Sequence, residues 1–146
     1  MKKILIVFLI IFIISGCSGG TAETLNCIKQ EGNTNIVIEI KATDNMAKFV
    51  SVSLENEYLL DEKTREYVEA YAKLNESKLD IQGITYTYNI DDKLFNEEFS
   101  YDLSKMTNEQ ISEYLVSESA SNFDFLDMQK SKLSLEADGF FCGVTK

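Results

Sequence analysis

The chain has 146 residues, with 24 acidic side chains against 14 basic ones, a formal net charge of −10, and no histidine, proline or tryptophan. So acidic a surface argues against nucleic acid as a partner, because the phosphate backbone is bound by Lys and Arg. The missing histidine excludes Ser-His-Asp and Cys-His catalysis and histidine-ligated zinc.

The chain opens with the basic triplet Met1-Lys2-Lys3, an aliphatic and Phe run from Ile4 to Ile14, and the tetrapeptide Ile14-Ser15-Gly16-Cys17. A positive start, a short apolar region and small residues before a cysteine are the marks of a secretory signal. At about 1.5 Å per residue the run reaches roughly 16 Å, far short of a bilayer core of about 30 Å, so it is not a transmembrane helix. The spacing predicts a lipoprotein signal over residues 1–16, cleaved between Gly16 and Cys17. The Cys17 thiol would carry diacylglyceryl, with palmitate-like chains, and become the new N-terminus. Two acyl chains give a stable anchor where one is marginal. Cleavage would remove Lys2 and Lys3 but no acid, leaving 12 basic against 24 acidic residues. Anionic lipid would repel such a surface, so membrane contact is expected through the lipid alone. The expected location is the extracytoplasmic face of the cell membrane.

Residues 17–24 are small and polar and read as a flexible, lipidated tether, leaving residues 25–146 as a single domain. With Cys17 assigned to lipid, Cys27 and Cys142 remain as a pair outside any C-x-x-C motif. In an oxidising compartment they read as a structural disulfide, which requires their Cα atoms to approach to about 4.4–6.8 Å.

Within the domain, the segment around Cys27 reads as a strand, followed by a turn at Glu31-Gly32-Asn33. Ile36, Ile38 and Ile40 alternate with Val37, Glu39 and Lys41, and after Thr43-Asp44-Asn45 the residues Val50, Val52 and Leu54 alternate with Ser51 and Ser53. This period of two predicts half-buried strands in an antiparallel meander. Asp61 then caps a predicted helix, with Leu60, Thr64, Tyr67, Val68, Tyr71 and Leu74 forming the stripe that should meet the sheet. Glu62, Arg65, Glu66, Glu69 and Lys73 form its solvated face, Glu69 and Lys73 in the favourable acid-first order.

A second hairpin follows: Ile84, Tyr86, Tyr88 and Ile90 on one strand, a polar turn over residues 89–93, and Phe95, Phe99, Tyr101 and Leu103 on the returning strand. Thr107 with Gln110 makes a capping box, and Met106 facing Ile111 makes a hydrophobic staple, which together start a second helix. In the last stretch Leu133, Leu135 and Ala137 alternate like a strand, but Asp127 as cap and Gly139 as stop favour a helix. The sum is an α+β fold: an antiparallel sheet of about five strands in two hairpin or meander units, with two or three helices on one face.

The lipobox ending at Cys17, the aromatic hairpin Ile84-Thr85-Tyr86-Thr87-Tyr88 leading to Phe99-Ser100-Tyr101-Asp102-Leu103-Ser104-Lys105, and the terminal Glu136-Ala137-Asp138-Gly139-Phe140 resemble the YehR-like family of small bacterial lipoproteins. The resemblance covers most of the mature domain. It implies helices packed on an antiparallel sheet and a domain with no assigned activity, and it brings no catalytic residues. The Cys27/Cys142 pair is read from this sequence alone.

Serines, lysines and acids are plentiful, but no spacing singles out a Ser-Lys dyad or carboxylate pair, and neither G-x-G-x-x-G nor a P-loop is present. The chain is therefore read as no enzyme, with no cofactor and no metal. The oxygen-rich stretch Asn89 to Lys93 with Asn96-Glu97-Glu98 lacks the spacing of an EF-hand and reads as a solvated turn. Tyr86, Tyr88, Phe99 and Tyr101 could face a ligand if their side of the sheet is open, although such stripes more often pack under helices. The expected activity is non-covalent recognition of an envelope partner or small ligand. A structural or assembly role beside another envelope protein is the alternative.

Overall fold

The computed structural model describes residues 20–57, 61–115 and 126–146. The signal, Gly16, Cys17 and Leu60 lie outside the described residues. Six strands, β1 (Ala22–Glu31), β2 (Thr34–Thr43), β3 (Met46–Glu57), β4 (Ile84–Ile90), β5 (Leu94–Asp102) and β6 (Phe141–Thr145), form one antiparallel sheet in the order β4-β5-β3-β2-β1-β6. Three described helices, α1 (Glu62–Lys78), α2 (Asn108–Leu115) and α3 (Met128–Ala137), accompany it. The α+β expectation holds with one strand more than the expected five. The added strand is β6, the short segment that carries Cys142 back beside β1. Strand β1 begins at Ala22, so the last three residues of the expected tether, Ala22–Thr24, are already in the sheet.

The turns follow the residues that permit them. Gly32 sits at φ 60°, and Asp44 and Asn45 at 52° and 64°. Two consecutive left-handed residues are what a tight two-residue hairpin requires, and Asp and Asn tolerate that region best among non-glycine residues. Between Lys41 and Ala42 the β2–β3 register shifts, bringing Ala42 opposite Ala47, and both are buried.

Alternation sends Leu25, Cys27, Ile38, Ile40, Val50, Val52, Phe99, Tyr101, Ile84 and Tyr86 to one side. There most of them join Leu103, Ile111 and Met128 in the main core. A smaller cluster joins Val68 and Ala72 of α1 to Phe95, flanked by Tyr88 and Ile90. The stripe of α1 is therefore rotated from the expected one. Val68 and Ala72 are buried, whereas Tyr67, Tyr71 and Leu74 are exposed. The small Ala72 brings the helix close over Phe95, while the larger apolar side chains that dominate a sequence pattern are left on the rim. That rotation also turns Arg65 toward the β4–β5 turn, where it donates to Asp91 O at 3.2 Å and Asp92 Oδ1 at 3.0 Å.

The helix boundaries are satisfied in detail. Asp61 Oδ1 accepts from Thr64 N at 2.7 Å. At α2 the capping box closes, with Thr107 N donating to Gln110 Oε1 at 2.8 Å and Gln110 N to Thr107 Oγ1 at 3.3 Å. The stretch read as helix or strand is the helix α3, capped by Asp127. It ends in a Schellman arrangement: Gly139 at φ 89° donates to Glu136 O, and Phe140 N to Leu135 O. No described helix is long and apolar enough to cross a membrane.

Candidate functional site: the open face of the sheet

Because all three helices pack on one side, the other side carries no helix among the described residues. Strand register arranges this open face in cross-strand rows. One row runs Gln30–Asn35–Glu55–Asn96–Asn89, and the next Ile28–Val37–Ser53–Glu98–Thr87. Where these rows cross β2, β3, β5 and β4 the surface sinks into a groove of about 360 Å³. Asn35, Val37, Ser53, Glu55, Thr87, Asn89, Asn96 and Glu98 line it.

Asn35 Nδ2 donates to Glu55 Oε1 at 3.2 Å, and Ser51 Oγ to Glu98 Oε1 at 3.2 Å. Each carboxylate thus holds one neighbour and keeps further lone pairs for a guest. Asn96 Oδ1 is buried in the groove wall with no hydrogen-bond partner. The lining includes no lysine or arginine. Acceptors therefore outnumber donors, and the groove is suited to a ligand that brings N–H groups or positive charge. Toward the β6 edge the face becomes apolar: Val37, Ile28 and Phe141 stand directly opposite one another on β2, β1 and β6, all exposed.

The residues singled out from the sequence lie elsewhere. Cys27 and Cys142 form a disulfide between directly opposed positions of β1 and β6, with an S–S distance of 2.01 Å. Their Cα separation of 4.1 Å falls just below the expected window, the two facing each other across adjacent antiparallel strands. Tyr86, Tyr88, Phe99 and Tyr101 share the helix side of the sheet. Tyr86 and Tyr101 are buried, Tyr88 and Phe99 half-buried, and the Tyr86 ring lies 4.9 Å from Phe99 and 5.9 Å from Tyr88. In the oxygen-rich turn between β4 and β5, Asp91 Oδ1 accepts from Lys93 N and Leu94 N, each at 2.8 Å, so it serves the backbone. Asp92 faces Arg65.

Glu97 drew no separate role from the sequence, yet it is buried on the helix side and accepts from the Tyr86 hydroxyl at 2.6 Å. Burial, followed by the Glu97 hydrogen bond and charge, pushes the Tyr86 phenol well above its usual range, and Asn75 of α1 partly offsets this. The sequence signal was the alternation itself. Glu97 stands in phase with Phe95, Phe99 and Tyr101, where a solvated acid should not be.

No protein-family model and no curated protein sequence matches the chain. Among solved structures it is similar to the NMR structure of the E. coli YehR protein, with a TM-score of 0.64, 16% identity, and coverage of 86% of this chain and 93% of that one. It is also similar to the NMR structure of a protein from Streptococcus pneumoniae TIGR4, with a TM-score of 0.58, 11% identity, and coverage of 87% of each chain. The YehR-like fold expected from the hairpin and terminal motifs is thus present. At these identities the likeness is one of fold.

Proposed function

We propose that the protein is an extracytoplasmic lipoprotein of the YehR-like kind, held to the membrane by acyl chains on Cys17, whose work is non-catalytic recognition through the open face of its sheet. The observation that carries this reading is the groove that no described helix covers: a concave surface whose polar groups are mostly acceptors, with no lysine or arginine in its lining, on a domain whose Tyr86, Tyr88, Phe99 and Tyr101 are turned to the helices. A chain without histidine lacks the usual general base. The partner that suits the groove is an envelope component or small ligand bearing ammonium or guanidinium groups, which Glu55 and Glu98 would meet directly.

The test is a thermal-shift screen of the folded domain against oligoamines, basic peptides, sugars, metal ions and lipids. Oligoamines or basic peptides should raise the melting temperature, and Glu55→Gln with Glu98→Gln should remove the shift. A screen in which only other classes stabilise the domain, or in which the double variant responds unchanged, refutes the groove as the site. An assembly role is favoured by one different observation, the exposed apolar row Val37–Ile28–Phe141 beside the edge strand β6. Crosslinking in cells would then trap one dominant neighbour at Phe141.

A further inference from the structure

We infer that, once Cys17 is acylated, the domain stands on the Thr43–Met46 end of its sheet, with the open-face groove held away from the bilayer. This rests on the lipid-anchor reading proposed above. Gly20 packs so closely on the β2–β3 turn that a Cβ there would lie 2.1 Å from Thr43 Cγ2. Thr21 N donates to Asp44 Oδ1 at 2.9 Å, and Asp44 N donates to Thr21 O at 3.1 Å. The chain is therefore fixed to the turn from Gly20 onward. Three peptide units separate Cys17 from Gly20, and at full extension they span about 11 Å. A cysteine whose acyl chains lie in the hydrocarbon must cross a headgroup layer of roughly 5–7 Å, which uses much of that reach.

From this end the strands run outward. Asn35 lies eight residues from Thr43 along β2, about 26 Å at 3.3 Å per residue. Asn35, Glu55, Asn96 and Asn89 share one cross-strand row, so the far part of the groove lies at that distance on all four strands. A short tether thus does more than retain the protein: it sets which end meets the membrane and presents the groove to the aqueous side, where a soluble or envelope partner reaches it and a lipid headgroup does not.

The competing posture lays the open face flat on the bilayer, with Ile28, Val37 and Phe141 as an apolar foot. Glu55 and Glu98 on that same face oppose it, since each would be pressed against anionic headgroups.

The absence of tryptophan makes the test direct, because one introduced indole reports alone. Acylated Met46→Trp, Lys93→Trp and Phe141→Trp proteins, each checked for folding by circular dichroism, are placed on phosphatidylethanolamine–phosphatidylglycerol vesicles carrying a headgroup nitroxide. Met46→Trp should be quenched several-fold more than the other two. Inserting about ten Gly and Ser residues after Cys17 should abolish the difference, since a flexible linker of that length frees the orientation. Quenching of Lys93→Trp or Phe141→Trp as strong as that of Met46→Trp, on protein that floats with the vesicles, overturns the posture. Protein that does not float refutes the anchor itself.

Discussion

The Tyr86 hydroxyl donates to Glu97 Oε1 at 2.6 Å, so the one buried carboxyl side chain among the described residues is satisfied by a neighbour on the adjacent strand. Removing the donor leaves a buried acceptor unpaired, which costs about 1–3 kcal/mol. Tyr86→Phe should therefore lower the urea-unfolding free energy by that amount. Glu97→Leu in the Tyr86→Phe background should cost less than the two single changes added, because the second change removes the orphaned group. Additive losses would show that the pair is not coupled.

The same pair gives a pH dependence. The folded state raises the Tyr86 phenol above its ordinary value, by burial first and by Glu97 second, and burial also raises Tyr101. A group that holds its proton more tightly when folded stabilises the protein below the unfolded value, near 10, and that contribution declines as pH rises above it. Stability should fall from about pH 10 upward in the natural protein and less steeply in Tyr86→Phe. In the folded protein, ultraviolet titration should show Tyr86 and Tyr101 ionising late, above the ordinary tyrosine range.

The fold was legible where period and punctuation agreed. The two-residue turn at Asp44-Asn45, the Thr107/Gln110 box and the Gly139 stop each combine a local geometry with the one residue type that suits it, and all stand where expected. The α1 stripe was misjudged because hydrophobicity weights large side chains, whereas burial there is set by how closely a helix can approach Phe95, which favours Ala72. The groove was illegible for a related reason. Its residues are ordinary polar alternates of separate strands, and only register brings Asn35, Glu55, Asn96 and Asn89 into one row.

Gly83 offers a test of backbone constraint. It adopts φ 91°, and a Cβ there would lie 2.7 Å from Met106 Cγ and 3.0 Å from Asp102 O. Gly83→Ala should cost about 1–3 kcal/mol through left-handed strain and the clash beneath α2's entry. Gly32 also has a positive φ but meets nothing within 4 Å, so Gly32→Asn should be nearly neutral. Equal losses at the two sites would make conformation alone the cause.

The helix caps predict the acid side of the stability curve. Hydrogen bonds from Thr64 hold Asp61 below the usual carboxylate range. At Asp127 the Lys130 backbone N–H does the same, with help from Asn45. Carboxylates lowered in the folded state stabilise it above their unfolded value, near 3.9, and lose that contribution as pH falls through the folded one. Replacing both by asparagine keeps a capping acceptor without the charge. Asp61→Asn/Asp127→Asn should melt close to the natural protein at neutral pH and show a shallower decline below about pH 4.

The disulfide should matter most at β6. Four of the five β6 residues are exposed and Cys142 is half-buried, so the strand contributes little apolar burial and is held by its ladder to β1 and by the Cys27 bond. The bond closes a sequence separation of 115 residues. In the chain-entropy account so long a loop corresponds to about 4–5 kcal/mol, and loss of a native disulfide typically costs about 2–5 kcal/mol. Cys27→Ala/Cys142→Ala should lose stability in that range, and its hydrogen exchange should rise first over residues 141–145 while β2, β3 and β5 keep their protection. Cys27 is fully buried, so part of the loss could come from the cavity its truncation leaves. Reducing the natural protein separates the two, since it opens the loop and leaves both side chains in place. If reduced protein keeps β6 as protected as the oxidised form, the ladder to β1 is sufficient and the bond acts only on the unfolded chain.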